Sequence, residues 1–333
     1  MRLCLIICTY KRPEAIKRLL VSVKKQSLPP NQVVIVDASE DQKTRQAVNS
    51  LHLENLEYYQ VEKKHRGLTK QRNFGISKVK DSIEVTCFLD DDVTLKKKCL
   101  EELINTYKLK KNAIAVGGYI TNEVKWSPID KTITGNRFFQ YDGYYRKESS
   151  RFLLRRVLGL NPDQPPGIYP KYGHGRSISF LPPSGKIYPT EQLIGAISSF
   201  KTDILRTVKF SEYFEGYGLY EDADFCFRIL PLGKLYVNTA ARCEHHHDPS
   251  GRPHKFKYGK MVVRNGWYVW KVRYPEFSFV NSLKWHSITL LLSTLRFLNF
   301  FTTKDRYGAL QEAGGRFYGW VSLIANKPKP LAK

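Results

Sequence analysis

Three consecutive aspartates, Asp90, Asp91 and Asp92, follow the apolar run Val85-Thr86-Cys87-Phe88-Leu89. The run is short, β-branched and aromatic, the pattern of a buried strand. Three carboxylates at one strand end repel one another and are costly to desolvate unless a cation joins them. They point to a divalent metal at the mouth of a sheet. Mg2+ and Mn2+ suit it, because both favour oxygen ligands and share them with phosphates. A metal there would neutralise charge on a leaving diphosphate. Asp92 or Thr94 could instead cap the next helix, but three adjacent carboxylates exceed a capping need.

A second acidic group lies at Glu221-Asp222-Ala223-Asp224, after the glycine-rich turn Gly216-Tyr217-Gly218. A helix start favours anions. Glu221 and Asp222 point in different directions on that helix, so one can face a substrate while the other makes a structural bond. Asp224 and Arg228, spaced i, i+4, read as a helix-supporting pair. Three histidines, His245 to His247, follow a strand and cannot all face one point. One of them, best placed at His245, would complete a metal shell as a neutral imidazole. The aspartates are hard ligands, which disfavours zinc.

Three further segments carry polar candidates. The turn Thr9-Tyr10-Lys11-Arg12-Pro13 leads from a strand into a helix, where backbone N–H groups and Arg12 can meet a phosphate. Asp37 and Ser39 end a second strand. Asp37 can accept a hydrogen bond from a base or ribose, or can cap the following helix. In Arg66-Gly67-Leu68-Thr69-Lys70-Gln71-Arg72-Asn73, Lys70 and Arg72 read as a solvated face, whereas Asn73 is flanked by apolar residues and needs partners.

The elements that must position these groups follow from periodicity. Strands are expected at 2–8, 32–37, 56–61, 84–89 and 113–119, and helices at 13–26, 41–50, 67–79 and 95–108. Alternation with short connections predicts an α/β fold with a doubly wound, mostly parallel sheet. Such sheets bind ligands beyond the carboxyl ends of their strands, which puts Asp37 and Asp90–Asp92 at one crevice. Residues 122–190, rich in Tyr, Arg, Gly and Pro, read as an irregular functional insertion. An apolar segment near 193–200, a stretch from Thr202 to Val208, a helix at 221–230 and strands near 234–243 follow. The expected division is a catalytic domain over 1–250 and a basic, mostly helical extension over 251–333.

The chain has 333 residues, a hydrophobic content of 42% and an aromatic content of 13%, which excludes a disordered protein. The six cysteines form no CxxC pair and read as buried hydrophobes of a reducing compartment. The six-residue apolar stretch near the start reads as a strand and is too short for a signal peptide. The net charge is +23, and residues 251–333 hold 15 Lys+Arg against 3 Asp+Glu. That balance favours anionic partners. Residues 278–301 are the most apolar segment, interrupted by Lys284, His286 and Arg296. A spanning helix is not expected there; a core helix or an interfacial one is.

In their order along the chain, the segments IICTYKRPEAIKRLLVSVKKQ, VVIVDASED, RGLTKQRNFGI, FLDDDV and GYGLYEDADFCFRI resemble the family 2 glycosyltransferases of the GT-A fold. The resemblance covers about residues 1–247. It implies an inverting, metal-dependent enzyme that moves a sugar from a nucleoside diphosphate to an acceptor hydroxyl. Asp90 and Asp92 match the outer aspartates of the DxD motif, and Asp222 matches the catalytic base of the later ED motif, beside Glu221. Asp92, with Asp90 and His245, would hold Mn2+ or Mg2+. The nucleotide-binding positions fall on Thr9, Tyr10, Arg12, Asp37 and Asp90; Ser39, Arg72, Asn73 and Asp91 join them as candidates. The family often has two acids and a glycine where this chain has Asp37-Ala38-Ser39. Asp37 leans toward a UDP or dTDP donor. The basic tail suggests a lipid-linked saccharide acceptor in surface polysaccharide assembly, and a cytoplasmic, peripheral position on an anionic inner membrane face. Three other classes compete, of which a catalytically silent sugar-nucleotide binder is disfavoured by the intact acidic motifs. A nucleotidyltransferase acting on sugar phosphates wants a glycine in the first loop, and there is none. A nucleic-acid binder wants a basic groove where this chain has acids, so no nucleic-acid partner is expected.

Overall fold

A computed structural model describes residues 1–129, 137–214, 216–248 and 253–330. The chain forms two compact units, one of residues 1–125 and 178–251, the other of 126–177 and 252–333.

The first unit begins with β1 (Leu3–Thr9), α1 (Pro13–Lys24), β2 (Gln32–Asp37), α2 (Lys43–Asn49), β3 (Leu56–Gln60), α3 (Leu68–Ile76) and β4 (Val85–Asp90). It continues with β5 (Val93–Leu95), α4 (Cys99–Leu109) and β6 (Ala113–Ile120). These match the expected elements within a few residues, apart from the short β5. Pro13 stands in the first turn of α1, where its missing N–H costs no hydrogen bond. β1 is buried nearly throughout and pairs in parallel with β2 and β4. Its register sets Thr9 beside Asp37 and Cys8 beside Asp90, so three strand ends line up. Leu5, Ile7, Ile16, Leu19, Ile35 and Leu103 are fully buried in the core between this sheet and its helices.

After the segment that belongs to the second unit, the first unit resumes with β10 (Ile187–Thr190), β11 (Ile197–Lys201), α6 (Thr202–Thr207), α7 (Glu221–Ile229) and β12 (Lys234–His245). The sheet order is β10-β12-β6-β11-β4-β1-β2-β3. β11 lies antiparallel between β4 and β6, while β12 runs parallel to β6. The doubly wound, mostly parallel α/β sheet is a GT-A, Rossmann-like fold. β12 is one bulged 12-residue strand, and its far end pairs His245 with Val93 of β5. The second histidine-bearing strand end thus arrives beside Asp92.

The second unit holds β7 (Ser127–Pro128), β8 (Phe138–Tyr141) and β9 (Tyr144–Lys147) as a small sheet, with α5 (Ser150–Val157). Its helices are α8 (Lys255–Arg273), α9 (Phe279–Leu298) and α10 (Arg306–Ala325). Trp267, Trp270, Trp285 and Leu323 form its apolar centre. The expected division differs here. Residues 126–177, read as an insertion of the first domain, group with the C-terminal helices, and the expected boundary at 250/251 falls outside the described residues. The segment 278–301 is helical to Leu298, and no helix among the described residues is long and apolar enough to cross a membrane.

Candidate active site

The aspartate triplet divides by direction. Asp91 turns inward and is 3% exposed. Its carboxylate accepts from Thr9 Oγ1 at 2.7 Å and from Arg12 Nη1 at 2.9 Å. Burial pushes it up to about 6, against the pull of Arg12 and Thr9. Asp91 and Thr9 therefore brace the first loop, and Arg12, expected at a phosphate, is tied to Asp91 with Asp248 nearby at 3.8 Å.

Asp90 and Asp92 face the other way. Asp92 Oδ2 accepts the Asp248 N–H at 2.8 Å. Asp92 Oδ1 is buried and accepts no aligned hydrogen bond, although His245 Nε2 lies 3.1 Å away. Oxygens of Asp90 and Asp92 and a ring nitrogen of His245 all fall within 4.8 Å of one another. Ligand atoms at right angles about a cation at 2.1 Å stand about 3.0 Å apart. An orphaned carboxylate oxygen, a second carboxylate and one imidazole fit a Mg2+ or Mn2+ ion. Burial opposes charge on Asp92, but His245 and the Asp248 amide hold it down at about 2. Burial likewise opposes charge on His245, yet Asp92 and Glu123 lift it to about 10. Only His246 points away; the rings of His245 and His247 lie 4.0 Å apart and both reach Glu123 Oε1. His246 Nε2 meets Thr94 Oγ1 at 3.0 Å, and His247 Nε2 meets Glu123 Oε1 at 2.8 Å. Neither Asp92 nor Thr94 caps a helix; Asp92 immediately precedes β5, Thr94 lies within it, and α4 begins later, at Cys99.

The second acidic group reaches the same edge through Arg72. Contrary to the solvated-face reading, Arg72 is 2% exposed. It donates to Glu221 Oε1 at 2.7 Å and to the Gly195 carbonyl at 3.1 Å, and stands 3.7 Å from Asp90 Oδ1. Its guanidinium lies 5.2 Å from the centres of the Phe88 and Phe210 rings. Leu68, Arg72, Gly75 and Ile76 share one helical stripe, and that spacing was the available sign of burial. Glu221 is buried, and desolvation raises it to about 8 despite Arg72. Asp222 is half-buried. Its Oδ2 accepts the Gly195 N–H at 3.0 Å and its Oδ1 the Ala223 N–H at 2.7 Å. Burial raises its pKa in spite of both amides. Asp224 pairs with Arg228 at 2.8 Å, as its spacing predicts.

α7 starts from a strained turn. Gly218 has φ +74°, and a Cβ there would meet Leu68 Cδ2 at 2.9 Å. Tyr220, the residue before the helix, also has positive φ, at +71°. A tyrosine in that region is uncommon.

Three expected nucleotide contacts, Asp37, Ser39 and Asn73, hydrogen-bond within the chain. Asp37 is fully buried; Oδ1 accepts from the Ser39 N–H and hydroxyl at 2.8 and 2.5 Å, and Oδ2 accepts from Tyr58. Ser39 Oγ in turn accepts the Lys11 N–H at 2.7 Å. Asp37 and Ser39 thereby brace the loop after β1. Asn73 makes two 2.9 Å hydrogen bonds with the backbone of Phe210. Tyr10 stays partly open on that loop, with Lys11 and Arg66 over its ring at 5.1 and 5.2 Å.

Sequence reasoning missed Gln71, Gly195 and Glu123. The Gln71 amide, buried, donates to the carbonyls of Thr9 and Val36 and so ties two strand ends together. Its signal was a polar residue among the buried positions of α3. A Cβ at Gly195 would stand 3.1 Å from Glu221 Oε1 and 3.2 Å from Arg72 Nη2, so a larger residue would press on that pair by a few tenths of an ångström. Glu123, from a polar loop, gave no signal; it meets His245 Nδ1 at 3.3 Å. Glu123 also lines a recess with Gly118, Tyr119, Ile178, Ile194 and Val237.

The sheet order and the acids at its carboxyl edge define the class: a GT-A fold with a candidate cation site beside a buried acid–arginine pair. Residues 4–159 match the family described as "Glycosyl transferase family 2". The match spans a little under half of the chain. The chain is also similar to the glucosyl-dolichyl phosphate glucuronosyltransferase of Haloferax volcanii, with 27% identity over 123 residues. That alignment covers 36% of this chain and 38% of the relative, so the chain spans well under half of the relative's length.

Proposed function

We propose that the chain transfers a sugar from a nucleoside diphosphate to an acceptor hydroxyl by a single inverting displacement. The observation that carries this reading is the link through Arg72, which stands between Asp90 on the cation side and Glu221, next to Asp222, on the other. Asp222 is the proposed base. Two backbone amides fix its carboxylate, and burial strengthens its hold on a proton. It would take the acceptor's proton as the acceptor oxygen bonds to the anomeric carbon and the bond to the diphosphate breaks. Glu221 and Arg72 position the turn that carries it. A divalent cation held by Asp90, Asp92 and His245 would offset charge on the departing diphosphate. One carboxylate at the sugar suffices, unlike the pair in a glycoside hydrolase.

The donor, on the family resemblance, is a UDP- or dTDP-sugar. The loop from Thr9 to Arg12, braced from behind by Asp37, Ser39 and Asp91, is the proposed nucleotide seat. The relative's name supports an acceptor saccharide on a lipid phosphate, and the basic C-terminal quarter supports a peripheral place on an anionic inner membrane face. The test is nucleotide release from a panel of nucleotide sugars. Asp222→Asn should lower turnover by about 10²–10⁴-fold with donor binding retained, and a chelator should stop turnover until Mn2+ or Mg2+ is restored. Near-normal turnover by Asp222→Asn would sink the assignment.

A further inference from the structure

The two last helices are arranged inside out. On α10 the buried positions are Ala309, Glu312, Ala313, Gly315 and Gly319, with Leu323, so they are mainly small or charged. α9 buries Ser282, Thr289 and Ser293 beside Trp285 and Ile288. Three charges of these helices meet inward: Glu312 is 6% exposed and pairs with Arg296 at 2.8 Å and Arg316 at 2.7 Å. Beyond Arg306, the exposed first residue of α10, no exposed position of either helix is charged. On α9 the exposed large residues include Val280, Leu283 and Leu298; on α10 they include Leu310, Val321 and Ile324, the last 77% exposed. Their spacings of three, four and seven residues, or sums of these, put each set along one face of a helix.

A helix bathed in water on one side places its large apolar residues toward the core. Small residues inward and large apolar residues outward is the arrangement of helices packed against hydrocarbon. The small residues bring backbones close: a Cβ on Gly315 would stand 2.0 Å from the Phe256 carbonyl of α8, and one on Gly259 of α8 would stand 2.0 Å from the Glu312 carbonyl. Cations stand at both ends of α10, with Lys304 before it, Arg306 at its first position and Lys327 and Lys329 after it, all exposed. No described helix is long and apolar enough to cross a bilayer. Each helix has 20 residues, about 30 Å.

We propose that α9 and α10 lie flat in the interface of an anionic bilayer, their outward stripes entering the acyl boundary and their flanking cations meeting lipid phosphates. This deepens the peripheral placement above by naming the inserting face.

The test uses the full chain with phosphatidylcholine vesicles, with and without phosphatidylglycerol. Wild type should sediment with the anionic vesicles and stay partly bound when salt is raised. Leu298→Glu with Ile324→Glu should cut the bound fraction at least about tenfold, with an unchanged circular dichroism spectrum. The milder pair Leu298→Ser with Ile324→Ser should lose binding in the same direction, and Leu109→Glu, on an exposed position of α4, should lose none. Nucleotide release measured without vesicles should be unchanged in both pairs, which separates failure of this proposal from failure of the catalytic reading. The proposal is overturned if the double variants bind like wild type and salt alone removes both. It is equally overturned if wild type ignores vesicles but forms a dimer that the double variants split.

Discussion

At the scale of single residues, the site depends on which way neighbouring carboxylates face. Asp90 and Asp92 converge with His245, while Asp91 between them turns back to Thr9 and Arg12. The triplet and the histidine were legible because three adjacent acids and a strand-end imidazole are hard to explain as surface chemistry. Asp37 and Arg72 were not. A one-dimensional reading assigns a polar strand-end residue to a ligand or a cap, whereas Asp37 is bound by Ser39 and by Tyr58, 21 residues on. Glu221 gives the residue-scale prediction. Its folded-state pKa of about 8 lies above that of an unfolded carboxyl, so the folded chain holds the extra proton in between. Its contribution is complete at acid pH below the unfolded value and is lost as pH rises toward 8; buried Asp91, at about 6, adds the same sign. Urea midpoints should therefore fall less steeply with pH in Glu221→Gln than in wild type between about pH 5 and pH 9. Parallel curves would refute the buried proton.

At the scale of elements, the βα alternation up to residue 120 was readable, since strands of four to eight apolar residues and amphipathic helices carry strong periods. The antiparallel insertion of β11 was not, because hydrogen-bond direction leaves no trace in a short apolar run. The grouping of 126–177 with the final helices was hidden for a related reason. Buried pairings such as Glu148 with Arg156 and Arg176, or His174 with Thr289, join residues that look like loop polarity in sequence. Two adjacent glycines on α10 test the packing directly. Gly315→Ala forces a Cβ onto the Phe256 carbonyl and should destabilise the chain by about 1–3 kcal/mol. Gly314→Ala meets nothing nearer than 3.8 Å and should stabilise by up to about 1 kcal/mol through helix propensity. Denaturant titration of both variants decides it; equal effects would contradict the close α8–α10 approach.

At the scale of the whole molecule, charge and thiol placement are the readable properties. The +23 net charge predicts salt-sensitive adhesion to anionic surfaces without naming one. All six cysteines are unpaired, and all but Cys8 are buried. Burial pushes the Cys8 thiol up to about 12, which suppresses the reactive thiolate. A thiol reagent should therefore count six groups in denaturant and at most one, slowly, in the native chain. Rapid native reaction of several thiols would show that the core opens readily.

Tyr220 carries a consequence of a different kind. Its backbone lies in the left-handed region that Gly216 and Gly218, just upstream, occupy without strain. A side chain in such a position costs about 1–2 kcal/mol relative to glycine. A population of sequences screened for folding alone would drift to glycine at 220, lengthening the run to three. A laboratory selection for heat resistance that leaves sugar transfer unmonitored should enrich that change, and the rate at which it does so measures how far the fold and the chemistry compete at the entrance to α7.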